Sequence, residues 1–315
     1  MEPQQRKKFK TTQDWQDFIA KGNLDGQKLL SLRTECYKEI EAYRGRPLLV
    51  YATKFINNVS VDTPNQLDIS DIEGFTDLVN SLKETKSIDI ILHSPGGRPD
   101  ATERIVTILR NNFEEVNFLI PHSAYSAATM LALSGNQVIL HPSATLGPID
   151  PQIDGIPARS IKRGFENIKK KIAKEGPETL PAYIPLIDKY SIHLLEICED
   201  SEKLSKKLVT KWLKNYMFKG EKNISKKIKK IVDYFSAYDK HLLHSRPLSL
   251  DKLIKFNLNI QHADEQLEPL LWEAYILING FFNSSPFVKL FESTQGVSWG
   301  RTFQKVLINQ QIPKK

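Results

Sequence analysis

The sequence predicts an α/β fold built around a parallel sheet, and three observations between residues 46 and 155 predict it. Strand-like and helix-like patterns alternate four times there with short connections, which requires crossover helices and hence parallel strands. The run "SIDIILH" is nearly continuous in apolar residues, as in a strand buried on both faces. Two features that suit chemistry, a Gly96-Gly97 pair and Ser126 among small residues, each follow a strand. That is where open α/β sheets carry their working groups.

Taken in order, residues 1–45 read as an N-terminal helical extension that includes "GQKLLSLRTECYKEIEAYRG". "RPLLVYATK" is the first strand. A helix follows with Ile72, Phe75, Leu78, Val79 and Leu82 on one face, capped by Asp68 or Ser70. "SIDIILH" is the second strand, "DATERIVTILRNNF" a helix and "EVNFLIP" the third strand. "SAATMLALSG" is a helix closed by Gly135, and "NQVILHP" the fourth strand. Residues 46–155 thus form the core and 156–235 a lysine-rich helical insertion broken at "EGPETLPAYIP". Residues 236–263 give a turn, a short helix and a strand that end the core. Residues 264–315 are expected to be a helical tail around "EPLLWEAYILINGFF".

Composition narrows the function classes. With 40% hydrophobic and 26% charged residues the chain is globular. No apolar run reaches the roughly 18 residues of a membrane span, and "MEPQQRKKFKTTQDWQ" has no apolar centre of a signal peptide. A cytoplasmic protein is expected. Cys36 and Cys198 have neither metal-type spacing nor a disulfide pattern and read as buried reduced thiols. Neither a metal nor a cofactor is expected. The net charge of +7 is concentrated between Lys203 and Lys230, with eleven lysines against the single acid Glu221. We read that run as a solvated helix face, with Leu204, Leu208, Trp212, Met217, Ile224 and Ile228 turned inward. No arginine and few aromatics accompany the lysines, which disfavours nucleic acid or a membrane surface as partner.

Ser126 sits where a strand passes into a helix, beside N–H groups without intrahelical partners. Alone it reads as a helix cap. The glycine pair shifts that reading, because backbone free of Cβ can aim N–H groups into the same crevice. A nucleophile and oxyanion donors then meet, as acyl transfer requires.

"ILHSPGG", followed by "AYSAATMLALSGNQVILHPSATLGPIDPQ", resembles the serine peptidases of the Clp-protease and crotonase-type spiral fold, and most closely the serine dehydrogenase proteinase family. The resemblance covers residues 45–155 and continues more weakly through "HSRPLSLDKLIKFNLNI". It implies a spiral of βαβ units with added helical segments, and a serine endopeptidase working through an acyl-enzyme. Ser126 would be the nucleophile. The N–H groups of Gly97, with Gly96, and of Ala127 would form the oxyanion hole. A polypeptide substrate and a homo-oligomer are implied as partners.

The proton acceptor stays open. Where the Clp subunit has its histidine this chain has Pro148, and His141 reads as structural. Signal peptide peptidases use a later lysine, which makes Lys189 the first candidate base. His93, Asp150 and His244 are alternatives as base or orienting group; Asp150 is read rather as holding the Gly-Pro turn, and His93 as lying at the crevice mouth. Two other functions compete: a catalytically inactive interaction protein of the same fold, and a crotonase-like acyl-CoA enzyme.

Overall fold

The structure, a computed structural model, describes residues 6–22, 25–57, 59–82, 84–188, 191 and 193–303. A capping box between Thr11 and Asp14 starts α1 (Thr12–Ala20). Asp25 caps α2 (Gly26–Arg44), which ends on Gly45 in the left-handed conformation. The core follows as β1 (Leu48–Thr53), α3 (Asp71–Asn80), β2 (Ser87–His93), α4 (Pro99–Asn112), β3 (Glu115–Ile120), β4 (Ser123–Ala124), α5 (Ala127–Ala132), β5 (Gln137–Leu140) and β6 (Thr145–Leu146). At the start of α3 the N-cap residue Ser70 makes no side-chain capping bond, and Asp68 Oδ1 accepts the Ser70 N–H at 2.7 Å.

A small hairpin, β7 (Gln152–Ile153) with β8 (Ile156–Pro157), leads into the helices α6 (Ala158–Glu175), α7 (Leu180–Ile187), α8 (Leu194–Trp212) and α9 (Ser225–Phe235). Then come α10 (Tyr238–His241), α11 (Leu250–Leu253), β9 (Ile260–His262), α12 (Leu267–Asn283), β10 (Phe287–Ser293) and β11 (Ser298–Thr302).

Among the described residues seven strands form the main sheet, in the order β11-β10-β1-β2-β3-β5-β9. From β1 to β9 the pairing is parallel; β10 and β11 add an antiparallel edge. Side chains alternate between the two faces, as the pleat requires. Leu49, Tyr51, Ile88, Ile90, Leu92, Phe118 and Leu140 join a core with residues of α3, α4, α5, α8 and α9. Leu48, Val50, Ala52, Ile91, Leu119 and Ile139 pack on the other side against α1, α2 and α12.

The central strands and helices lie where the sequence places them, and the fold is the expected α/β one with a mostly parallel sheet. Two expectations need correction. The segment 264–315 is no purely helical tail, since β10 and β11 complete the sheet beside β1. The buried charges Lys289 and Glu292 interrupt the apolar pattern of β10 and hide it. The lysine-rich segment also contributes to the main core, with Leu208, Trp212, Met217, Ile224 and Ile228 buried, but Leu204 is 39% exposed instead of turned inward. Cys36 and Cys198 are free and buried. Among the described residues no helix is long and apolar enough to cross a membrane.

Candidate active site

After β3 the chain leaves the main sheet. β4 pairs in parallel with β6, and Ser94 bridges to Ala124. Tyr125 N–H donates to Ser94 O at 3.0 Å, which ties the end of β2 to the segment ahead of α5. Ser126 then takes φ 51° and ψ −122°. A non-glycine residue held there carries strain of order 1–3 kcal/mol, and such strain collects where function demands a geometry. A serine on a sharp strand-to-helix turn exposes its hydroxyl above the sheet. Ser126 makes no side-chain capping bond to α5, so the plain cap role is set aside. Because α5 has six residues, its macrodipole is small, and the N–H groups themselves carry any attraction for an anion.

The glycine pair is fitted against this turn. Gly96 has φ +96°, and a Cβ on it would lie 2.7 Å from Ser126 Cβ and 2.8 Å from Ala127 N. Gly97 has φ +154°, and its Cβ would meet Leu67 O. Leu67 grips the loop from outside: its N–H donates to Gly96 O at 2.7 Å, and its carbonyl accepts the Arg98 N–H at 2.8 Å. That ladder leaves the Gly97 N–H unused and facing away from Leu67. Ser126, Gly96 and Gly97 line one crevice of about 700 Å³, together with Met130, Ile149, Leu204 and His244.

His244 reaches this crevice through contacts distant in sequence. Gly147 N–H donates to Ala124 O and to Thr129 Oγ1, holding the "GPID" run against the Ser126 turn. Leu146 bridges to Leu248, which brings the loop after α10 alongside. His244 Nδ1 lies 3.0 Å from Asp150 Oδ1. The contact is at ion-pair distance and off the line of a well-aligned hydrogen bond, and neither carboxylate oxygen has another hydrogen-bond partner. Asp150 is 2% exposed. A buried carboxylate with nothing else to bind is suited to hold an imidazole in one orientation. The contact engages Nδ1 and leaves Nε2 as the ring nitrogen available for proton transfer.

The remaining sequence candidates separate from the crevice. His93 follows Ile91 by two residues and so shares its face of the sheet, turned away from the crevice and against Tyr275 of α12, with Phe55 and His122 beside it. The expectation that it sits at the crevice mouth is therefore corrected. His141 stacks on Trp272 and accepts the Ser143 N–H, a structural role as read. Lys189 lies outside the described residues. Leu67 escaped the sequence reading, since nothing local marks a residue that acts only through its backbone. Among the described residues no group of three or more His, Cys, Asp or Glu is placed to hold a metal.

Burial, with His122 nearby, pushes His93 down to about 3. The unfolded chain, with histidine near 6.5, binds the proton that the folded one refuses. Stability is therefore lost as pH falls below about 6.5, by up to about 1.4 kcal/mol per unit. Between pH 7 and pH 5 the site is expected to cost ~2 kcal/mol. Urea unfolding at both values should show that loss in the wild type, and a loss smaller by that amount in His93→Leu. Equal losses in the two proteins would refute the assignment.

Comparison with known proteins gives a family and several similar chains. Residues 18–275 match the model of a family described as ClpP-like SDH-type serine proteinase. Two proteins of Methanocaldococcus jannaschii, both described as uncharacterized, are similar in sequence. One is 30% identical over 145 residues, 45% of this chain and 50% of its own length. The other is 34% identical over 114 residues, 36% of this chain and 39% of its own. The chain thus spans half or less of the length of these curated relatives. Among solved structures, the 1510-N membrane-bound stomatin-specific protease is similar. Its lysine-to-alanine mutant in complex with a substrate peptide gives a TM-score of 0.38 at 17% identity, over 64% of this chain and 72% of that one. Its serine-to-alanine mutant gives 0.37 at 17%, over 64% and 77%.

Proposed function

Because the chain belongs to the ClpP-like SDH-type serine proteinases, we propose that it hydrolyses peptide bonds through an acyl-enzyme on Ser126. His244 is the base and Asp150 its orienting partner. His244 takes the Ser126 proton as Oγ attacks the carbonyl carbon. The oxyanion is held by the N–H groups of Gly97 and Ala127. The tetrahedral adduct collapses as the imidazolium gives its proton to the leaving amine. Water, deprotonated by the same imidazole, then releases the acyl group.

The observation that carries this reading is His244 in the crevice of Ser126 with Asp150 at 3.0 Å. It supports a working base without the histidine that Pro148 displaces, and so favours an active enzyme over a scaffold. The strained Ser126 backbone favours a nucleophile over the acyl-CoA alternative. A polypeptide substrate, a cytoplasmic location and self-association belong to the same reading, and the free buried thiols suit a reducing compartment. A fluorophosphonate probe tests it. The wild type should be labelled and Ser126→Ala should not; a folded wild-type protein that resists the probe would sink the proposal.

A further inference from the structure

Lys289 is a lysine in the middle of an edge region of the sheet, and it is 1% exposed. Burying an ammonium is costly unless it is paired, and here two carboxylates meet it. Nζ lies 2.7 Å from Asp71 Oδ1 and 3.1 Å from Asp68 Oδ2. Asp71, fully buried, spends its other oxygen on Tyr51 OH and on the backbone N–H of Asp68, both at 2.9 Å. Asp68 is thus fastened twice, by side chain to Lys289 and by backbone to Asp71. The residue before it is Leu67, whose N–H and carbonyl hold Gly96 and Arg98 on either side of Gly97.

We infer that Lys289 is a positioning residue for the oxyanion loop, acting through Asp68, Asp71 and the backbone of Leu67. The inference rests on the peptidase reading for its effect on rate, though the mechanical link stands on the geometry alone. Lys289 touches no substrate. Its pair of carboxylates fixes where Leu67 presents its two hydrogen-bonding groups, and these set the direction of the Gly97 N–H. An oxyanion donor displaced by about 1 Å loses most of its value in the transition state while substrate binding is spared.

Asp68→Asn is the informative variant. It keeps an oxygen for the Ser70 N–H, and Lys289 stays paired with Asp71. The double variant Lys289→Met/Asp71→Asn removes the whole buried pair without stranding a charge. With the fluorophosphonate probe, both are expected to lower the limiting acylation rate by about ten- to a hundredfold, with the probe's binding constant within about twofold. In hydrogen exchange the peptide covering residues 94–98 should lose protection while α3 keeps its own. Unchanged acylation and unchanged loop protection would overturn the inference. So would a uniform loss of protection across the fold, which would make Lys289 a general stabilising residue. If the wild type itself resists the probe, the peptidase reading fails, and the exchange measurement still decides whether Lys289 holds the loop.

Discussion

Replacing His244 by alanine is expected to lower kcat/KM on a peptide substrate by about 10²–10⁴-fold, the usual worth of a positioned general base. KM should change little, because the imidazole acts on the proton of Ser126 and contributes no uniform binding. Asp150→Asn should fall in the same direction. An amide in place of the carboxylate no longer selects one imidazole tautomer or stabilises the imidazolium. Asp150 is buried and its oxygens have no hydrogen-bond partner, so its removal isolates the effect on His244. Lys189→Ala, by contrast, should retain activity close to the wild type. The measurement is steady-state hydrolysis by the three variants, with thermal unfolding to confirm that each is folded. Full activity in His244→Ala together with loss in Lys189→Ala would transfer the base to the lysine and overturn the triad.

The two halves of the proposed machinery differ in how far the sequence points to them. The Gly96-Gly97 pair and Ser126 are legible because each is local: a strand signal, then small residues at its carboxyl end. His244 carries no such signal. It reaches the crevice through the Leu146–Leu248 bridge and the "GPID" run lodged against Thr129, contacts that no short window contains. His93 misled for the converse reason, since it is next to the loop in sequence but turned by strand parity toward α12. Counting two residues from Ile91 would have placed it. Leu204, expected inward on an amphipathic helix, lines the crevice instead. The last turns of α8 bury their apolar residues while its middle faces open space beside Ser126.

β10 shows the same limit from the side of the fold. Its apolar residues alternate around Lys289 and Glu292, and both charges are buried. Glu292 is taken up by Arg33 and Tyr37, and Lys289 by Asp68 and Asp71. A strand whose charges are neutralised by residues more than two hundred positions away cannot be told from a surface segment by its own pattern.

Gly97→Ala is expected to be the most damaging single methyl in the crevice. Gly97 has φ +154°, and the added Cβ would lie 2.1 Å from Leu67 O and 2.5 Å from Leu67 N, far inside contact distance. Those are backbone atoms whose hydrogen bonds define the loop, so the methyl can be accepted only by opening the Leu67 bridge and turning the peptide. The N–H then leaves the oxyanion position. Loss of one such donor lowers kcat by about 10²–10³-fold, or ~3–4 kcal/mol, with stability lower by ~1–3 kcal/mol from the forced backbone. Gly164→Ala is the matched control: its Cβ would meet nothing within 4 Å and it lies within α6, where alanine is favoured over glycine. Kinetics and thermal unfolding of both variants separate the outcomes. Normal kcat in Gly97→Ala would mean that the loop accepts the methyl without moving its N–H, or that the oxyanion is held elsewhere. The first result would overturn the steric argument for Gly97, and the second would remove the glycine loop from the mechanism.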